Sequence, residues 1–401
     1  MSKISKQDIW IILAGYLAAL NVGKLSPIIP ILQKELNLSF TQAALSLSLV
    51  QGAGMLFAFS IGAFSEKVGL KRCLVFGVTI LGMSSLAGFY IDSVISLYLF
   101  RFGEGIGFLT ISICAPAILK RISRPETLNF KLGLWSSYMG VGVSLAVFTI
   151  PILIEWLSWQ EVWAILGLIS IFVAVMIQIF LKIDSNHTKD MVQQSSFWEI
   201  VKVTITHPPI LCLAVIFSCY TSQWITVVGF LPSMYVSENI ALRTAGMLTS
   251  IVVVANLVGT FGAGALLQRG ILPSRLLNFG LISMLVTSIL TFAMTNWLAF
   301  ELQYLSAILF SLLGGIIPTT VFAITLHFAP RVNAAAASVG LVLQISALAQ
   351  FLIPPFSASL VSQPQQWLNI AVVTTAISIL GLIMVYILFN HYSQKVRNKH
   401  V

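Results

Sequence analysis

Charge is squeezed out of this chain in long blocks, and that limits its fold more than any other feature. Apolar runs of roughly 20 residues follow one another along its length, each long enough to cross a bilayer core as a helix. Twelve can be read, at about 9–31, 41–63, 73–91, 95–117, 132–154, 162–182, 209–231, 244–267, 277–295, 303–327, 335–361 and 368–390. Charged residues make up 9% of the chain and hydrophobic ones 58%, against roughly 25% charged in a soluble protein. The expected fold class is therefore an all-α polytopic membrane protein. Met1–Asp8 is a mostly polar start leading straight into the first run, so no cleaved leader is expected.

A net charge of +9 invites a nucleic-acid reading, but the distribution of charge opposes it. With the N-terminus placed in the cytoplasm, 18 of the 22 Lys and Arg fall in cytoplasmic segments. Lys34 and Arg243 fall outside, and Lys24 and Arg101 fall within helices. Acids divide six to each side, with Glu104 alone inside a helix. That is the positive-inside pattern, in which basic loops resist translocation and acids matter little. The basic balance is topology, and both termini are expected in the cytoplasm. Cys73, Cys114, Cys212 and Cys219 sit in or beside the runs without metal-site spacing, so they read as small packing residues. No metal site and no cofactor is expected.

Between the second and third runs lies Gly62-Ala-Phe-Ser-Glu-Lys-Val-Gly-Leu-Lys-Arg72, which reads as a charged hairpin framed by glycines. Gly62 would let a helix end approach its neighbour, and Gly69 permits a positive-φ turn. Glu66, Lys67, Lys71 and Arg72 would form ion pairs at the membrane surface that hold one arrangement of the helices. A degraded copy recurs as Gly264-Ala-Leu-Leu-Gln-Arg269, an offset of 202 from Gly62. The same offset carries Pro30 onto Pro232. Two landmarks with one spacing argue for two homologous six-helix halves in tandem. The organisation expected is a first bundle at 1–182, a cytoplasmic linker at 183–208 and a second bundle at 209–401. Ser196-Phe-Trp-Glu199 in the linker has capping-box spacing, which predicts a short amphipathic surface helix.

The 62–72 stretch resembles the signature loop of the major facilitator superfamily, G-x-L-a-D-R-x-G-R-K. Gly62, Lys67, Gly69 and Lys71 match it, Glu66 stands for the aspartate, Phe64 for the leucine, and Leu70 departs from a basic position. The resemblance covers nearly the full length. It implies two pseudo-symmetric six-helix bundles around a central cavity lined by helices one, four, seven and ten, with access alternating as the halves rock.

Helix one carries Asn21 and Lys24, followed by Pro27 and Pro30. Lys24 lies roughly 22 Å into the helix at ~1.5 Å per residue, a depth where a lysine costs on the order of 3 kcal/mol. It faces a polar cavity, or is a structural ion pair, or snorkels to the outer surface. Helix four carries Arg101 and Glu104, three apart and so on one face, where they can pair. Leu97 to Gly105 resembles the superfamily's fourth-helix motif, l-x-x-x-R-x-x-q-G, with Glu104 in place of the usual polar residue. Gly103 and Gly107 give a small-residue stripe suited to close helix packing. Because helix four runs inward and helix one outward, two cations and one carboxylate are expected to meet in one layer.

Helix five has Gly140 and Gly142 but not the Gly-Pro pair of the drug–proton antiporter branches, and its first proline is Pro151. Helix seven offers Tyr220, Gln223 and Trp224, for which helix packing competes with substrate contact. Helix ten offers Gly314-Gly315-Ile-Ile-Pro318, where proline can kink the helix. Asn-x-Gly-Lys in helix one, Arg-Phe-Gly-Glu-Gly in helix four and Gly-Gly-Ile-Ile-Pro in helix ten together resemble the branch containing cyanate and nitroimidazole transporters. Its best-known members carry arginine where Lys24 sits.

These features predict a secondary active transporter of the inner membrane, moving a small organic anion or polar solute by alternating access, with protons as the candidate coupling ion. Lys24 would attract the anionic group and Arg101 orient it, Glu104 would be a proton site or counter-charge, and Asn21, Tyr220, Gln223 and Trp224 would shape the pocket. The alternative is a proton-driven efflux pump for drugs or metabolites. A channel suits a repeated charged gate loop less well. A membrane enzyme would want paired carboxylates, clustered histidines or an activated nucleophile inside the bilayer, and His187, His207, His327, His391 and His400 all fall at helix edges or in loops. The expected partners are a small-molecule substrate, the bilayer and protons, with no nucleic acid and a monomeric chain.

Overall fold

The computed structural model describes residues 5–182, 197–294, 297–325, 327–331, 334–361 and 367–392. Twelve helices long and apolar enough to cross a membrane occur among them. They are α1 (Lys6–Glu35), α2 (Phe40–Ala58), α3 (Leu70–Tyr90), α4 (Val94–Ile122), α5 (Leu134–Leu153), α6 (Trp159–Phe180), α7 (Pro208–Ser237), α8 (Leu242–Gln268), α9 (Pro273–Phe292), α10 (Phe300–Thr325), α11 (Ala337–Ser359) and α12 (Leu368–His391). In the first half, helices open on local signals. Ser5 with Asp8, Ser39 with Gln42, Ser93 with Ser96 and Ser158 with Glu161 each close a reciprocal capping box, which satisfies backbone donors that an open helix end leaves unpaired. In the second half, α7 and α9 instead begin on proline, whose missing N–H has no partner to lose there.

Two compact units partition the chain, one of Met1–Gln194 with Asn239–Ser250, the other of Ser195–Glu238 with Ile251–Val401. Within the first unit α1 touches α4, α5 and α6, while α3 touches α4 and α6. Within the second, α7 touches α10, α11 and α12, while α9 touches α10 and α12. Adding six to each helix number turns one set into the other. The backbone repeats as well. Asn37 and Asn239, 202 positions apart, both take positive φ (51° and 65°) in the turn after the first helix of their repeat. Asparagine tolerates that left-handed conformation better than other non-glycine residues. Gly69 and Gly270 do the same after the second helix, at φ 106° and 80°.

The glycine-framed stretch is not a hairpin. The helix that carries α2 runs on to Val68, and α3 begins at Leu70. A single residue, Gly69, reverses the chain, because its backbone conformation is strained for any side chain. The prolines act as their chemistry requires. In α1 the α-helix stops at Gly23, passes through a 3₁₀ turn at Ser26–Ile28 and resumes at Ile29. In α10 it breaks between Gly314 and Ile316, since Pro318 has no N–H for the Gly314 carbonyl four residues back. Pro354 and Pro355, in contrast, lie inside an unbroken helix, Ala335–Ser359. The expected surface helix is present at Phe197–Ile205, while Ser196 lies outside the described residues. Its Glu199 pairs with Arg331 at 2.7 Å within the second unit.

α1 and α5 run side by side, and a buried ion pair fastens the start of α1 to the helical turn just ahead of α5. Lys131 Nζ is 2.7 Å from Asp8 Oδ2, and the two side chains are 7% and 0% exposed. Tyr16 and Ser137 bond at 3.0 Å further along. Removing one partner of such a pair strands the other charge, at a cost of about 3–5 kcal/mol. Asp8→Asn is therefore expected to lower unfolding stability in detergent by about that amount. Adding Lys131→Met should recover most of the loss, and a double variant no more stable than Asp8→Asn would show that the pair is not coupled.

Candidate functional site

Each charged residue expected inside the bilayer is completely buried in the first unit, and all of them meet. Lys24, Arg101 and Glu104 are 0% exposed and Asn21 is 1% exposed. Glu104 Oε1 pairs with Lys24 Nζ and its Oε2 with Arg101 Nη1, the latter at 2.6 Å. The pairing of Arg101 with Glu104 follows from their three-residue spacing. That of Lys24 follows from α1 packing against α4. Burial of Lys24 removes the snorkelling reading, and an ion pair is the geometry observed.

Neighbouring helices complete the cluster. Lys24 donates to Asn21 Oδ1 at 2.9 Å and to Ser85 Oγ on α3 at 2.7 Å. Ser85 in turn donates to the Trp163 carbonyl on α6 at 2.9 Å. The ammonium sits 4.0 Å from the centroid of the Trp163 ring, and Arg101 Cζ is 5.9 Å from it, so an aromatic face also steadies the cations. Arg101 donates from Nε to the Ser46 carbonyl on α2 at 3.1 Å and from Nη1 to the Asn21 carbonyl at 2.8 Å. Asn21 lies in the last α-helical turn before the proline break, where carbonyls lack intrahelical partners, so the break frees this acceptor. Arg101 Nη2 and Trp163 Nε1 are buried and have no hydrogen-bond partner among the described residues. Close packing sets α4 in place. A Cβ on Gly107 would fall 2.6 Å from the Gly77 carbonyl of α3, as the small-residue stripe implied.

Tyr220, Gln223 and Trp224 belong to a separate, neutral network in the second unit. Tyr220 donates to Asn256 Oδ1 at 3.1 Å, Asn256 to the Ser311 carbonyl at 2.8 Å, and Trp224 to Ser311 Oγ at 3.1 Å. Gln223 stands 202 positions after Asn21 and holds α12 by accepting from Ser378 at 3.0 Å. These three side chains tie α7 to α8, α10 and α12.

At the gate stretch, Lys71 Nζ donates to the Gln178 carbonyl at 2.8 Å, so a cation satisfies the carbonyl end of α6. Arg72 is exposed. The side-chain environments of Gly62, Glu66 and Lys67 lie outside the described residues. Ser46, Ser85 and Trp163 were missed by sequence reasoning. Nothing local marks them, since each sits in an apolar run and acquires its role only from the helix opposite.

A sequence model of the Major Facilitator Superfamily matches residues 11–349. The chain belongs to the major facilitator superfamily. An uncharacterized transporter of Buchnera aphidicola subsp. Schizaphis graminum is 20% identical over 231 residues, 56% of this chain and 56% of that protein. The chain thus spans little more than half the length of that relative. A second uncharacterized transporter, from Buchnera aphidicola subsp. Baizongia pistaciae, is 23% identical over 289 residues, 69% of each. Among solved structures, a bacterial homolog of the human lysosomal transporter Spinster, inward-facing and occupied, superposes with a TM-score of 0.76 at 15% identity, covering 95% of both chains. Family and twelve membrane-length helices among the described residues together mark the chain as a membrane-embedded member of this superfamily.

Proposed function

We propose that this chain is a proton-coupled symporter of a small organic anion, working by alternating access in the inner membrane as a monomer with both termini in the cytoplasm. One observation carries the reading: two cations share one carboxylate at zero exposure. An intramembrane charge excess of this kind is costly, and such residues characteristically serve a transported ion or a proton relay. A singly charged anion entering the cluster would cancel the excess. It would also compete with Glu104 for the positive charge of Lys24 and Arg101, leaving the carboxylate to take up a proton. Anion and proton would then cross together, with Glu104 as the only titrating site required. Asn21 holds both cations in place through its side chain and its carbonyl.

The test is uptake into vesicles reconstituted with the purified chain under an imposed pH gradient, using a panel of small carboxylates. Accumulation that collapses with the gradient is expected. Anion movement indifferent to the gradient would overturn the coupling. Gradient-driven extrusion of neutral or cationic compounds, with no anion carried, would favour the efflux reading.

A further inference from the structure

The distribution of hydrogen-bond donors identifies which atoms would receive the anion, and they are not those of Lys24. An ammonium group has three N–H donors, and Lys24 directs Nζ to three acceptors, Asn21, Ser85 and Glu104. Its charge is needed, but its donors are used. A guanidinium has five N–H donors, two of them on each terminal nitrogen. Arg101 Nε serves Ser46, and Nη1 serves both Asn21 and Glu104. Arg101 Nη2 serves nothing among the described residues, and neither does the indole N–H of Trp163. Both residues are 0% exposed, and Arg101 Cζ lies 5.9 Å from the Trp163 ring centroid. The ring is held by close packing, since a Cβ on Gly88 would lie 2.6 Å from its Cε3.

We infer that Arg101 Nη2 and Trp163 Nε1 together form the anion-reading edge of the cluster, and that the ligand they select is small and carries a single negative charge. The unmet groups are all donors, so the ligand must be an acceptor. While Glu104 is still ionised, as it is when the anion enters, the two cations exceed the carboxylate by one charge, so a monoanion balances the site on entry and a dianion overshoots it at low dielectric. A water molecule could satisfy the donors but not the charge. Trp163 is thereby a specificity-determining residue: its ring steadies Lys24 and its N–H meets the anion. This rests on the anion reading proposed above and deepens it.

The experiment uses the purified full-length chain in detergent, with formate or nitrate titrated against a gluconate background at constant ionic strength and sulfate as the dianion. The readout is the thermal unfolding midpoint. The wild-type chain should show a saturable rise with the monoanions and none with sulfate. Trp163→Phe keeps an aromatic face over Lys24 but deletes the N–H, and should shift the titration roughly ten-fold toward weaker binding. Arg101→Lys keeps the charge but deletes the fork, and should abolish saturation. A Trp163→Phe titration identical to wild type would overturn the inference, as would sulfate acting as well as formate or no anion acting at all. If vesicles accumulate an anion whose binding ignores Trp163→Phe, the inference fails and the transport reading stands. Binding with the expected Trp163 dependence but no anion transport would leave the site standing and remove the function.

Discussion

Glu104→Gln is expected to keep exchanging anion across the membrane while losing accumulation driven by a pH gradient. The amide occupies the space of the carboxylate but cannot release a proton. It mimics the protonated state that the proposed cycle reaches only when the anion, seated on Arg101, offsets the surplus positive charge beside Glu104. Without anion the variant buries two cations and no counter-charge, and losing one member of such a cluster costs about 3–5 kcal/mol. It should therefore be unstable when empty and recover on adding substrate, binding it more tightly than wild type because no carboxylate competes. Counterflow and gradient-driven uptake, measured in the same vesicles, separate the two activities. Accumulation that survives intact would take Glu104 out of the proton path and leave it as a structural partner of Arg101.

Lys24→Met should do the opposite: fold well and transport almost nothing. The change leaves Arg101 and Glu104 as a matched pair at 2.6 Å, and a methionine stem suits the apolar face of Trp163 beside it. What disappears is the surplus charge. A site that is already neutral has no electrostatic reason to admit an anion, and Glu104 then has only one cation to lose. A fall in anion uptake of about 100-fold, the equivalent of roughly 3 kcal/mol, is expected with normal membrane insertion and little change in unfolding temperature. Lys24→Arg should keep part of the activity, since it restores the charge with a different donor geometry. Normal uptake by Lys24→Met would end the anion reading and leave the triad as architecture.

The cluster was half legible in the sequence. Arg101 and Glu104 face each other because any residues three apart on a helix do, so their pairing needed no fold. The spans, the tandem halves and the turn at Gly69 were equally local, set by the length of apolar runs, by a 202-residue offset and by the one residue type that takes that φ readily. Other features depended on which helix faces which. Asp8 reads as part of a polar N-terminal start, yet it is buried and paired because Lys131 lies 123 positions away in sequence and 2.7 Å away in space. Glycine at 62 and charges after it suggested a loop, but the helix continues to Val68, since helix ends respond to the packing around them as well as to composition. Ser85 and Trp163 carry no local mark at all. They became part of the site only when α3 and α6 were laid against Lys24. Spacing within one helix determines which side chains share a face, and that much the chain fixes by itself. Which faces meet is settled by the close fit of six helices at once, and there the tertiary structure decided that Lys24 would be saturated and Arg101 left with donors to spare.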